Sequence, residues 1–400
     1  MSVPTPVTPS ASTPDALLNT YKRAPMEFVR GKGCELFDSE GRAYLDFTAG
    51  IAVMAFGHGD AGVAAAMKDA IDTGLIHVSN LFRTPPGEQL AARLVELSFA
   101  DRVFFCNSGA EANEAAFKFT RKWGRETGGP AKHEILSLRG AFHGRLFGTL
   151  AATDRPQYRA PFRPLAGGVS IVERDLDELG VVLDGERVAA LVVEPVQGEG
   201  GMRVLDHGFL REVRTLTRER GVALILDEIQ CGLGRTGTLF AYEQSGIVPD
   251  VLTLAKPIAG GLPMGAVLLT QEIADAIKPG DHGTTFGGGP LIASVALHVL
   301  NRLADPKLLA HVRETGAWFG NELEALQKRN ERVRAVRGVG LMWGLDVTCS
   351  AADVVTRARE RGLLLVSAGE HTVRFVPPLV ITRAELARGL VVFEEALGAA

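Results

Sequence analysis

The chain has 400 residues, 46% of them hydrophobic and 22% charged, with a formal net charge of −4. That is the composition of an ordinary globular protein, long enough for a large core and two domains. No apolar run approaches the roughly 20 residues of a membrane span, and neither sign of charge is blocked into a tail. Nucleic acid and membrane are therefore not expected partners, and small molecules are.

Residues 1–14 are rich in Pro, Thr and Ser and lack the basic start and apolar stretch of a secretion signal. They read as a disordered extension of a cytoplasmic protein. From Glu35 to Phe47 two short apolar runs flank the turn Ser39-Glu40-Gly41-Arg42, the pattern of a β-hairpin. Between about residues 100 and 290, apolar runs alternate with helical stretches: Arg102 to Cys106, Glu134 to Leu138, Val188 to Val193, Val222 to Leu226, Val251 to Ala255 and Ala266 to Thr270. This alternation predicts a mostly parallel sheet covered by helices. Beyond residue 300, a helix with Leu308, Leu309, Val312, Trp318, Phe319 and Leu323 at core spacing precedes strands near 338 to 347 and 372 to 376. A last helix opens with Thr382-Arg383-Ala384-Glu385, a capping box. The expected organisation is a large α/β domain, 61–300, and a small α+β domain built from both ends, 15–60 and 301–400. Four cysteines stand without C-x-x-C spacing, so neither a metal site nor a disulfide framework is expected.

Two of the predicted strands run into opposite charges. Val222–Leu226 leads into Asp227, and Val251–Ala255 leads into Lys256. The stretch between them has the length of a crossover, which puts both charges at the carboxyl edge of one sheet, where α/β proteins bind ligands. A lysine in apolar company is costly unless it is paired or chemically used. One use accounts for both residues: the amine forms a Schiff base with an aldehyde cofactor while the aspartate keeps that cofactor's pyridine nitrogen protonated, which is the chemistry of pyridoxal 5'-phosphate (PLP). Ser108 and Glu111 are spaced as a capping box at the start of an Ala-rich helix. Free N–H groups there bind phosphate, with Gly109 allowing close approach, although an ordinary helix cap has the same spacing. Gly232-Leu233-Gly234-Arg235-Thr236-Gly237 matches the dinucleotide fingerprint and raises a nicotinamide-dependent dehydrogenase. No helix is predicted to open at Gly237, however, and no acid-terminated strand follows at the required distance. Arg145 and Arg374 lie among apolar residues, where a guanidinium usually needs a carboxylate, and Glu199 is a candidate partner.

Taken together, these segments resemble the class III PLP-dependent aminotransferases of fold type I. The likeness runs from about residue 20 to the end. It rests on Phe47-Thr48-Ala49-Gly50-Ile51-Ala52-Val53, Asn107-Ser108-Gly109-Ala110-Glu111-Ala112-Asn113, Ala141-Phe142-His143-Gly144-Arg145, Glu194-Pro195-Val196-Gln197-Gly198-Glu199-Gly200-Gly201, Asp227-Glu228-Ile229-Gln230, Ala255-Lys256 and Arg374-Phe375-Val376-Pro377-Pro378. The resemblance implies a seven-stranded, mostly parallel sheet in the large domain. It also implies that Lys256 is the Schiff-base lysine and Asp227 the pyridinium partner. Ser108, Gly109 and Ala110 would bind the phosphate, Phe142 would cover the ring, and Gln230 would bond the ring oxygen. Thr285 would reach the phosphate of the neighbouring subunit in a homodimer, with Thr284 close to substrate. The implied reaction moves the terminal amine of N-acetylornithine to 2-oxoglutarate. Arg145 would hold the donor's α-carboxylate, Arg374 would hold that of the oxo acid, and Glu199 would neutralise Arg374 while the donor is bound. Succinylornithine, or a carrier-bound aminoadipate semialdehyde, would use the same machinery. An aminomutase, a decarboxylase and a catalytically silent relative share the fold, which does not by itself choose among them. Two segments depart from the family pattern. Gly59-Asp60-Ala61 stands where a second histidine and a proline are usual, and Gly287-Gly288-Gly289-Pro290 where Gly-Gly-Asn-Pro is usual. They bear on acyl-group preference and loop order.

Overall fold

The computed structural model describes residues 16–398, so the expected extension at 1–14 lies outside the described residues. A seven-stranded sheet forms the centre, in the order Arg102–Cys106, Gly265–Leu269, Val251–Leu254, Ala223–Asp227, Val188–Val193, Glu134–Leu138, Val169–Val172. Gly265–Leu269 is antiparallel to both its neighbours, while the other pairs are parallel. Every residue of Val188–Val193 and Ala223–Asp227 is buried. Such continuous apolar runs are what a sheet covered on both faces requires.

Six of the seven strands follow the apolar runs. The seventh, Val169–Val172, is a half-buried edge strand after the Gly167-Gly168 pair, and without the continuous burial of the equally short Val251–Leu254 it does not stand out. The capping box predicted at Ser108 is half formed. Its hydroxyl accepts from Glu111 N–H at 3.2 Å, but the Glu111 carboxylate turns back one residue further and accepts from Asn107 N–H at 2.9 Å.

The hairpin predicted from Glu35 forms between Glu35–Asp38 and Ala43–Asp46 and extends into a four-stranded sheet with Phe28–Lys32 and Leu363–Leu364. Leu363–Leu364 runs parallel to Ala43–Asp46, so residues from both ends of the chain share this sheet. The segment near 338 to 347 is a hairpin rather than a single strand: Val333–Val339 pairs antiparallel with Met342–Val347 across Gly340-Leu341, and Thr372–Phe375 and Val366–Ala368 complete the sheet. Phe47 packs with Phe319 and Phe375 at centroid distances of 6.3 and 6.1 Å, and Phe375 meets Phe393 at 5.1 Å. That aromatic cluster joins the start of the chain to helices Pro306–Arg329 and Arg383–Gly398. The second of these opens with the predicted box, Glu385 N–H to Thr382 Oγ1 at 3.2 Å and Thr382 N–H to Glu385 Oε2 at 2.8 Å. Among the described residues no helix is long and apolar enough to cross a membrane.

Candidate active site

Asp227 ends its strand directly beside Val251–Leu254, with Asp227 opposite Thr253 in the parallel ladder, and Lys256 follows at the same edge. The carboxylate is buried in a polar network. Its Oδ2 accepts from Asn113 Nδ2 at 2.7 Å and lies 2.8 Å from His143 Nδ1, and its Oδ1 accepts from Ile229 N–H at 3.1 Å. Thr253 Oγ1 donates to Asn113 Oδ1 at 2.8 Å, which fixes the amide so that Nδ2 faces Asp227. The contact to a carboxylate places the imidazole hydrogen on Nδ1. Oδ2 is thereby occupied twice, and Oδ1 keeps a free direction. Asn113 and His143 end and centre the motifs Asn107–Asn113 and Ala141–Arg145, whose residue spacing alone does not point either of them at Asp227. Asn113 is separated from Asp227 by 114 residues and His143 by 84, and only the fold brings them together.

A cleft of about 390 Å³ opens on this edge. Ser108, Gly109, Ala110, Phe142, Arg145, Glu199, Asp227, Gln230 and Lys256 all line it, so most of the expected site residues converge. Lys256 has φ of 41°, a left-handed conformation that a non-glycine residue adopts only when its surroundings impose it. Burial pushes its ammonium below the ordinary lysine range, with Asp227 and Glu199 opposing the shift. Burial, with Asp227 beside it, raises the Glu194 carboxyl well above the usual carboxylate range. Glu194 also lines the cleft and accepts from Phe142 N–H at 3.1 Å, a residue that sequence reasoning left without a role.

Ser108, Gly109 and Ala110 set the first turn of the 20-residue helix Gly109–Gly128 at the cleft wall, with its unpaired N–H groups available to an anion. The need for glycine at 109 has a second cause besides ligand approach: a Cβ there would sit 2.8 Å from Ile229 Cδ1 and Cγ2. Gly198 makes room for Gln230 in the same way, since a Cβ would fall 1.7 Å from Gln230 Oε1. That buried oxygen faces Gly198 and has no hydrogen-bond partner among the described residues, while Gln230 as a residue lines the cleft.

The two arginines differ. Arg374 is 3% exposed, with Nη1 2.6 Å from Glu199 Oε1 and Nη2 donating to Ser367 O at 3.1 Å. The Nη1 contact brings opposite charges together without hydrogen-bond alignment, and Nε and Nη1 both lack an acceptor. Arg145 is exposed at the cleft and stacks over Tyr158, its guanidinium carbon 3.5 Å from the ring centroid. It forms no ion pair among the described residues, so only Arg374 has the carboxylate partner expected from sequence.

Thr284 and Thr285 are not in this cleft. They line a separate groove with His77, Asn80, Phe82 and Phe105, and the nearest link is Asn107 Nδ2 donating to Thr284 Oγ1 at 3.1 Å. The Gly232–Gly237 segment forms turns with no helix at Gly237. Its Arg235 is buried and donates Nη1 to Leu341 O and Pro377 O. These glycines shape a loop that ties the sheet edge to the C-terminal strands, and no dinucleotide site forms. Asp60 is absent from the cleft lining. It caps helix Ala61–Asp72 through Val63 N–H at 2.8 Å and is bonded by both terminal nitrogens of Arg302. Gly289 likewise occupies a helix cap, ahead of Pro290–Leu303.

Comparison with known proteins agrees with this geometry. The profile of the class-III aminotransferase family matches residues 18–397. A mitochondrial acetylornithine aminotransferase of Alnus glutinosa is 47% identical over 96% of this chain and 86% of its own length. The solved ornithine aminotransferase of Toxoplasma gondii superposes with a TM-score of 0.92 at 33% identity, covering 96% of this chain and 93% of that one. N-acetylornithine aminotransferase of Stenotrophomonas maltophilia gives 0.83 at 38% identity, covering 95% and 97%. With a family match across nearly the whole chain and a lysine and an aspartate meeting in one cleft at the sheet edge, the protein belongs to the class-III aminotransferases.

Proposed function

We propose that the protein transfers the terminal amino group of N-acetylornithine to 2-oxoglutarate, giving N-acetylglutamate semialdehyde and glutamate, with pyridoxal 5'-phosphate as cofactor. The observation that carries this reading is the inequality of two arginines: Arg145 lines the cleft and is open to an anion, whereas Arg374 is absent from the lining and lies buried behind Glu199, which does line it. A donor whose only carboxylate lies far from its reacting end needs Arg145 and an otherwise neutral pocket. An oxo acid with two carboxylates needs both arginines. Glu199 satisfies both demands by holding Arg374 and then yielding it.

The residues fit PLP. Asp227 keeps a free carboxylate direction in a buried site, Gln230 lines the cleft with an amide whose NH2 can donate to the ring oxygen, and Ser108 to Ala110 present helix N–H groups for the phosphate. When bound, PLP supplies the electron sink that stabilises charge at the donor's reacting carbon. Asn113 and His143 fix the orientation of the Asp227 carboxylate, which would pair with the ring nitrogen, and Phe142 would cover the ring face. Lys256 moves the proton at the reacting carbon. Its lowered pKa leaves a larger neutral fraction to act as base.

Thr285 lies outside its own chain's cleft, in a groove bordered by the exposed side chains Leu81, Phe82 and Phe286, with Ile76 also exposed. An apolar surface of this kind beside a polar rim suits a second copy, and in that homodimer Thr285 serves the partner's phosphate. Four thiols, none bridged, suit the reducing cytoplasm.

Val53 lines the cleft and its neighbours Gly50 to Ala52 bring no polar side chain, so a free α-amine has no partner there. Glutamate formation from 2-oxoglutarate should therefore be fastest with N-acetylornithine in a panel that includes succinylornithine and ornithine. Preference for unacylated ornithine would overturn the substrate assignment, and absence of any 2-oxoglutarate dependence would indicate an aminomutase.

A further inference from the structure

Ala49, Gly50, Ile51 and Ala52 have φ of 47°, 63°, 63° and 65°, four consecutive residues in the left-handed region. Only glycine enters that region freely, because a Cβ crowds the following carbonyl oxygen. The turn is closed by Ala52 N–H to Thr48 O at 2.9 Å and by the N–H groups of Val53 and Met54 to Ala49 O, each at 2.8 Å. The strain is held from both sides. Asp46, fully buried, accepts on Oδ1 from Thr48 N–H, Thr48 Oγ1 and Ala49 N–H at 2.8, 2.7 and 3.0 Å, and its Oδ2 lies 2.8 Å from His58 Nε2. Val376 N–H bonds Phe47 O at 2.9 Å before the turn, and Leu379 N–H bonds Ala55 O at 2.7 Å after it. Val53, the residue the turn delivers, lines the cleft.

We propose that this left-handed turn is a specificity element for the amine donor, with Asp46 and His58 as its positioning residues and Val53 as the wall it presents. The inference rests on the two-substrate reading above. In that reading the oxo acid draws on Arg374 as well as Arg145 and the donor on Arg145 alone, so the donor depends more on the apolar wall that Val53 gives the cleft. Backbone strain of this kind persists where the surroundings over-determine it, and it clusters at ligand clamps. Ordinary packing would be met by a right-handed turn at lower energy.

Steady-state kinetics on the PLP-loaded enzyme test the inference, with thermal melting and the bound-cofactor absorbance band as parallel readouts. Asp46→Ala frees the turn, and Val53→Ala removes the wall while leaving the turn intact. Both should raise KM for N-acetylornithine by about tenfold and change KM for 2-oxoglutarate by less than about twofold, with the absorbance band unmoved. Asp46→Asn, which keeps the Oδ1 acceptor, should recover most of the loss. Equal shifts for both substrates, or no shift in Val53→Ala, would overturn the proposal. If Asp46→Ala does not fold, Val53→Ala and Asp46→Asn decide it. If the wild type prefers another amine, the substrate assignment fails, and the same KM split measured with that amine still decides the role of the turn.

Discussion

The charge of Arg374 is the residue-scale problem that this site solves. A guanidinium that is 3% exposed, with two nitrogens lacking acceptors, is held by one carboxylate that itself faces the cleft. Removing one partner of a buried pair leaves the other uncompensated, and that penalty is larger than the net worth of the pair. Glu199→Gln should therefore slow the donor half-reaction by about tenfold while leaving the 2-oxoglutarate half-reaction within about twofold, as read by single-turnover kinetics of each half. Equal loss in both halves would show that Glu199 acts only on the fold. Asp227 shows how much of such a site a sequence carries. Its place after an apolar run, with Lys256 after the next, was legible because a charge ending a buried strand has few physical uses. The network behind it was not, since Asn113 and His143 reach it from 114 and 84 residues away.

Elements were legible where period and capping chemistry agreed, as at Thr382-Glu385 and along Val188–Val193. They were hidden where local residues argue for something else. Ala49, Ile51 and Ala52 carry no preference for positive φ, so the left-handed turn is imposed by Asp46 and the strand beside it. Asp60 is a different case, because the departure it makes from the family pattern is spent on a helix cap. Hydrogen bonds from Arg302 hold its carboxyl below the ordinary value of 3.8, outweighing burial. A depressed folded-state pKa gives stability that is fully present above the unfolded pKa and is lost as pH falls through the folded one. Asp60→Asn keeps the cap but loses the ion pair, so it should cost about 0.5–1 kcal/mol near neutrality. The gap between its melting temperature and that of the wild type should begin to narrow below about pH 4 and vanish only as the pH falls through the lower folded-state pKa. A gap that stays constant down to acid pH would remove the ion pair from the account.

At the scale of the whole molecule, Thr285 depends for its proposed role on a second copy of the chain. It lies in a groove outside its own cleft, beside exposed Phe82 and Phe286, and the proposed homodimer gives all three a use. Phe82→Glu with Phe286→Glu should yield a monomer by light scattering whose affinity for PLP falls by about tenfold or more, because a phosphate contact is lost. A monomer that binds PLP as tightly as the wild type would remove Thr285 from the site. Six strands of the central sheet were legible as alternation along the chain, whereas the edge strand Val169–Val172 and the proposed contribution of Thr285 to a second copy came from no residue pattern and were expected only from the family resemblance. The central claim is that one cleft serves two substrates in turn. The visible absorbance of the purified protein, loaded with PLP, tests it most directly when N-acetylornithine and then 2-oxoglutarate are added. The account predicts a cofactor band that bleaches with the donor and returns with the oxo acid, and no bleaching in Lys256→Ala. A band that ignores the donor, or one that bleaches but does not return, would contradict it.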